Sequence, residues 1–130
     1  MSQFYKNVNV NPMKKEVGDC VIRAIANAED KSWYEVFDAL TKIARENCSA
    51  PNWKDTYEAY LSKYPTIPVK YEYGGKKYRL TASDFWNDPK LKEGNYVIRQ
   101  AHHVTCVKNG VCEDIWDCSH RASYKIWKVK

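Results

Sequence analysis

Gly18-Asp19-Cys20-Val21-Ile22-Arg23-Ala24-Ile25-Ala26 is the stretch from which the rest of the chain is read. The Gly-Asp pair is a turn signal. The apolar positions Val21, Ile22, Ala24, Ile25 and Ala28 then cover a wide helical face, as in a helix buried against a sheet. Cys20 therefore stands in the first turn of a central helix running to about Ala28. There the unpaired backbone N–H groups and the positive end of the helix dipole favour thiolate over thiol. Far downstream, Ala101-His102-His103-Val104-Thr105-Cys106-Val107 reads as a strand carrying histidine. An imidazole within reach of the thiol lowers its pKa by forming an ion pair and later hands the proton to a leaving group. The layout is that of a thiol nucleophile and its base.

Around this pair the chain falls into two textures. Asn7-Val8-Asn9-Val10-Asn11-Pro12 alternates like a short strand before a Pro stop and is expected to lie against the body of the domain. Ser32-Trp33-Tyr34-Glu35 is a capping box that opens a second helix, with Val36, Phe37, Leu40, Ile43 and Ala44 as its buried stripe. Trp53, Tyr57, Tyr60 and Leu61 mark a third helix that Pro65 ends. After Pro68 the chain turns to a hairpin around Gly74-Gly75, a short helix near Ser83-Asp84-Phe85-Trp86, and strands at 96–99, 103–107, 111–116 and 124–129. Helices followed by an antiparallel run predict an α+β fold in which the Cys helix packs on the sheet that carries the histidine.

The 130 residues fit one domain spanning 1–130, with ten Tyr and five Trp available for its core. The start lacks the apolar run of a signal peptide, and no stretch is long enough to cross a bilayer, so the expected location is cytoplasmic with no membrane partner. Five cysteines, an odd number, are then reduced thiols rather than a disulfide framework. The formal charge of +5 is scattered among acids, a weak footprint for nucleic acid. Tyr71, Tyr73 and Tyr78 interleave with Lys70, Lys76, Lys77 and Arg79, which reads as an ordinary solvated hairpin before a stacking platform.

The register of the hairpin at Lys108-Asn109-Gly110 selects the acid that orients the histidine. A two-residue Asn-Gly loop pairs Val107 with Cys112 and puts Thr105, Asp114 and Trp116 on the His103 face. A three-residue loop pairs Val107 with Val111 and brings Asp117 to that face as a diagonal neighbour. The second register aligns Val107, Val111 and Ile115, the better apolar set, so Asp117 is the expected orienting acid and Asp114 the reserve. Its role is to fix the imidazole tautomer and stabilise the imidazolium. Of His102 and His103, alternation lets only one face the site.

Taken together, the Cys20 segment, His103-Val-Thr-Cys-Val-Lys-Asn-Gly110 and Asp114-Ile-Trp-Asp117-Cys-Ser resemble small bacterial and phage proteins of the papain-like cysteine peptidase superfamily, such as bacteriocin-processing peptidases. The resemblance covers roughly half the chain, about residues 18–44 and 95–127. It implies a papain-like fold and a hydrolase of peptidase, amidase or isopeptidase type, with Cys20 as nucleophile, His103 as base and Asp117 as orienting residue. It implies no cofactor, and a protein or peptide as substrate. One departure stands out: the family's Gln shortly before the Cys, an oxyanion donor, is missing from Lys14-Lys15-Glu16-Val17. Losing one such donor typically costs about 10²–10³ in rate, and Asn11 is the candidate replacement. Asp19 beside Cys20 opposes thiolate formation unless it is spent on capping the helix.

Two rivals follow from the same residues. Cys106, Cys112 and Cys118 with His102, His103 and His120 sketch a zinc site, but no Cys-x-x-Cys pair is present, so no metal is assigned. Alternatively, a papain-like fold serves as a non-catalytic module that binds a host protein.

Overall fold

A computed structural model describes residues 3–130. Three helices come first after a short strand β1 (Tyr5–Asn7): α1 (Cys20–Glu29), α2 (Trp33–Glu46) and α3 (Lys54–Leu61). Then follow β2 (Thr66–Ile67), the hairpin β3 (Lys70–Tyr73) and β4 (Lys76–Arg79), the short helices α4 (Asp84–Asn87) and α5 (Pro89–Lys92), and β5 (Asn95–Gln100), β6 (His103–Lys108), β7 (Val111–Asp114) and β8 (Lys125–Lys128). The described residues form an α+β fold, with five helices and a mostly antiparallel six-stranded sheet of order β1-β7-β6-β5-β8-β2. The exception is β1, which runs parallel to β7. No helix among the described residues is long and apolar enough to cross a membrane.

The sheet is central and buried on both faces. Val97, Val104, Cys106 and Trp127 point to α1, α2 and α3, where they meet Val21, Ile25, Val36, Leu40 and Leu61. Their strand neighbours Tyr96, Ile98, Val107 and Ile126 point the other way, onto Phe85, Cys112 and Cys118. This period-two sorting lets β5 read as an almost continuous apolar run.

Local chemistry accounts for the helix that matters most. The nine residues from Val21 to Glu29 are all buried, so α1 is enclosed on every side rather than amphipathic. Its far end is tied down by Glu29, which accepts hydrogen bonds from the hydroxyls of Tyr60 at 2.5 Å and of Tyr64, and by Ala28 O, which accepts from Asn95 Nδ2 at 2.8 Å. Helix α2 has the expected capping box: Ser32 Oγ accepts from Glu35 N, and Glu35 Oε1 accepts from Ser32 N. Its inner face is Val36, Leu40 and Ala44, with Phe37 and Ile43 partly covered.

The N-terminal segment departs from expectation. The strand is Tyr5–Asn7, and the alternating asparagines beyond it do not pair in the sheet. Asn9 Oδ1 instead accepts from Asn11 N at 3.0 Å and Asn11 Oδ1 from Met13 N at 2.9 Å. Short amide side chains satisfy their own backbone two residues on and so compete with a ladder. Helix α5 was also not expected, although Asp88 accepts from Lys90 N and Pro89 opens the helix, both ordinary start signals.

Candidate functional site

Helix α1 starts at Cys20, and no side chain caps it. The half-buried thiol meets the side chain of His103 and the backbone of Val104. Burial by itself pushes the thiol pKa up. Hydrogen bonds from His103 and from the Val104 backbone, with the charges of His103 and Arg23, outweigh it and hold the thiol below its ordinary 9.0.

His103 is the first residue of β6, directly after a two-residue turn that links it to its partner Gln100. That turn separates the two histidines. His102 takes a left-handed φ of 54° and is exposed, whereas His103 is 9% exposed and points inward. Its Nε2 lies 2.7 Å from Asp114 Oδ2, which leaves Nδ1 as the nitrogen for the thiol. The Trp116 ring covers the imidazole with centroids 4.9 Å apart. Desolvation opposes the imidazolium, but the hydrogen bonds to Asp114, Cys118 and Cys20 and the Asp114 charge push the ring pKa up to about 11.

The carboxylate paired with His103 is therefore Asp114, where Asp117 was expected. Lys108 pairs with Val111 and Val107 with Cys112, the two-residue register. Asn109 and Gly110 both have positive φ, 50° and 83°, the conformation that an Asn-Gly turn supplies most readily. A Cβ at Gly110 would also meet Lys92 Cγ at 2.9 Å and Trp86 Cα at 3.3 Å, so the turn has no room for another residue type. The local preference of the turn overrode the tidier apolar set, and Val111 and Ile115 stay half-exposed. In this register Asp117 lies beyond the strand on the surface, where its Oδ1 accepts from Ser119 N at 3.0 Å and from Ser119 Oγ.

Asp114 is 2% exposed and fully engaged. Oδ2 accepts from Thr105 Oγ1 at 2.7 Å and from Cys118 Sγ at 3.4 Å, in addition to the His103 contact. Oδ1 accepts from Arg23 Nη1 and from Ile115 N, each at 2.7 Å. Burial would raise this carboxyl pKa, yet the donors and the positive charges of His103 and Arg23 hold it well below the usual carboxylate range.

Arg23 links the two halves of the site. Its Nε donates to Asp19 Oδ1 at 2.8 Å while Nη1 reaches Asp114, and the guanidinium is itself buried. Asp19 Oδ2 also accepts from Asn11 Nδ2 and Trp33 Nε1, each at 3.0 Å. The acid next to the nucleophile is thus neutralised by Arg23, not spent as a helix cap. Asn11 is committed to Asp19, which removes it as the replacement oxyanion donor. Gln100 lies in the same cleft, and its Nε2 donates to Cys118 O at 3.0 Å. For a developing oxyanion the first-turn backbone N–H set beginning at Cys20 is at hand, and Asn52 also lines the cleft.

Cys20 and His103 open onto a cleft of about 730 Å³, walled by Trp53, Tyr57, Arg99 and Tyr124. The tightest metal-ligating group among the described residues is His103, Asp114 and Cys118, with ligand atoms within 4.8 Å of one another, and Cys112 Sγ is 3.8 Å from Cys118 Sγ. Both oxygens of Asp114 are already held by hydrogen-bond donors and a guanidinium. This group is a packed hydrogen-bond network, and Cys106 faces the opposite core.

Comparison with protein-family models, with curated proteins and with solved structures gives no match.

Arg23, Thr105 and Trp116 were not singled out as site residues in the sequence. The one local signal was the four-residue spacing of Asp19 and Arg23, which puts an ion pair on one helix face. Thr105 shares the His103 face in either register, being two residues on in the same strand, and Trp116 does so only in the two-residue register.

Proposed function

We propose that this protein is a papain-like thiol hydrolase of peptidase, amidase or isopeptidase type, acting through Cys20, His103 and Asp114. The observation that carries the reading is the continuous chain from the Cys20 thiol through the imidazole to a buried carboxylate, opening on a cleft. Cys20 Sγ attacks the substrate carbonyl and forms a C–S bond. The imidazolium of His103 gives its proton to the leaving group as the scissile bond breaks. Water then attacks the acyl-enzyme, His103 takes a proton from it, and the thiolate returns. Asp114 keeps the imidazole oriented throughout and stabilises its protonated form.

The test is the pH dependence of iodoacetamide labelling of Cys20, read by mass spectrometry with exposed Cys48 as internal reference. Cys20 labels faster than Cys48 below pH 7, and His103→Ala abolishes the advantage. Equal rates for the two cysteines, unchanged in His103→Ala, would sink the reading.

One observation favours the non-catalytic module instead: Asn11 and Gln100 already spend an amide N–H each, on Asp19 and on Cys118 O. Under that reading Cys20 still labels fast, but no acyl-enzyme accumulates with activated thioesters.

A further inference from the structure

The cleft beside Cys20 is one-sided in charge. Lys54 and Arg99 supply its fixed cations, and no Asp or Glu among the described residues lines it. The nearest carboxylate, Glu58, is shared. Lys125 Nζ sits 2.8 Å from Glu58 Oε2, whereas Arg99 Nη1 is 3.8 Å from Oε1. Two cations on one carboxylate leave a unit of positive charge, and the looser partner is the one that faces the cleft. Arg99 and Cys20 line the same cleft, with Tyr57 on its wall. The Arg99 side chain is 23% exposed, so its field is screened less than that of a surface lysine. The planar guanidinium pairs with carboxylates through two parallel hydrogen bonds, which a lysine cannot do.

We infer that Arg99, assisted by Lys54, selects anionic substrates for the proposed hydrolase site: acyl compounds or peptides bearing a carboxylate close to the attacked carbon. Exposed Trp53 and Tyr124 supply the apolar walls against which the rest of such a substrate lies. This inference rests on Cys20 being the nucleophile proposed above.

The experiment compares alkylation of Cys20 by iodoacetate and by iodoacetamide, reagents of similar size that differ in charge. In the wild type the iodoacetate-to-iodoacetamide rate ratio at Cys20 exceeds that at Cys48, and it falls as salt is added. Arg99→Gln lowers the ratio about fivefold, the scale of one partly screened unit charge at close range, and the ratio cancels any change in thiolate reactivity common to the two reagents. Lys54→Gln, at an exposed position, gives a smaller loss in the same direction and serves if Arg99→Gln fails to fold. Lys76→Gln, on the distant β3–β4 hairpin, changes nothing. A ratio unaltered in Arg99→Gln and Lys54→Gln overturns the inference, because the imidazolium alone would then attract the anion. If Cys20 reacts no faster than Cys48 with either reagent, the hydrolase reading itself has failed, a different result.

Discussion

Asp114→Asn removes one charge from the centre of the site and keeps the shape. The wild-type carboxylate lies 2.7 Å from His103 Nε2 and, on its other oxygen, 2.7 Å from Arg23 Nη1, with its side chain 2% exposed. At an effective dielectric constant near 20, unit charges at such a separation attract by about 6 kcal/mol before desolvation is counted. Desolvation takes back part of this, and removing one partner of a buried pair is generally worth about 3–5 kcal/mol. Arg23, left with Asp19 as its partner, acts in the same direction, because its cation now faces the imidazolium without an intervening anion. At about 1.4 kcal/mol per pH unit the loss corresponds to a fall of about 2–4 units in the His103 pKa. From about 11 the ring pKa drops to about 7–9, so the imidazolium is depleted from about neutral pH upward and the Cys20 thiol loses its cationic partner there. The assay is iodoacetamide labelling of Cys20 by mass spectrometry from pH 4 to 10, with circular dichroism to confirm folding. The expected result is a midpoint displaced upward by about 2 units or more, toward or above the ordinary thiol value. A folded Asp114→Asn protein whose Cys20 profile stays within half a unit of wild type would refute the assignment of Asp114 and the electrostatic argument behind it.

Four further outcomes follow from the same geometry. Asp117→Ala leaves the Cys20 labelling profile unchanged and costs about 1 kcal/mol in urea unfolding, the value of the turn bonds to Ser119; a profile shifted like that of Asp114→Asn would restore Asp117 as the orienting acid. Arg23→Met leaves Asp19 and Asp114 buried without their shared cation and lowers unfolding stability by about 3–5 kcal/mol. Arg23→Lys, having no second nitrogen to span both acids, recovers only part of that loss in the same urea titration. Gly110→Ala places a Cβ against Lys92 and Trp86 at a left-handed φ and costs about 2 kcal/mol or more by thermal unfolding; no loss would mean that the turn is not two-residue. The His103–Asp114 pair also has a pH signature in stability. Asp114 is depressed, so its contribution is present above its unfolded pKa near 3.8 and lost as pH falls; His103 is raised to about 11, so its contribution is full below 6.5 and declines as pH rises toward that value. The stability gap between wild type and Asp114→Asn is therefore widest between about pH 4 and 6.5, measured by urea unfolding across pH; a gap that widens above pH 8 contradicts it.

Much of the architecture was legible along the chain because its causes are local. The apolar pattern after Cys20 made α1 an enclosed helix, Ser32 and Glu35 satisfied each other's orphan groups, and paired glycines closed the β3–β4 hairpin. The placing of Cys20 at a helix start and of His103 on a strand was equally readable, and alternation demanded that only one of His102 and His103 face inward. What the chain by itself left open was long-range. A one-residue change of loop length reverses every side chain of a strand, so the choice between Asp114 and Asp117 hung on a turn whose preference competes with the burial of Val111 and Ile115. Arg23 and Asp114 are 91 positions apart, and nothing in either neighbourhood announces the other. Tertiary packing alone brought Asp114 to that guanidinium, engaged Asn11 and laid Trp116 over His103, whereas the pairing of Arg23 with Asp19 is local, four positions apart. A charge buried by the fold must find its partner wherever the fold brings one, and sequence proximity does not encode where that is.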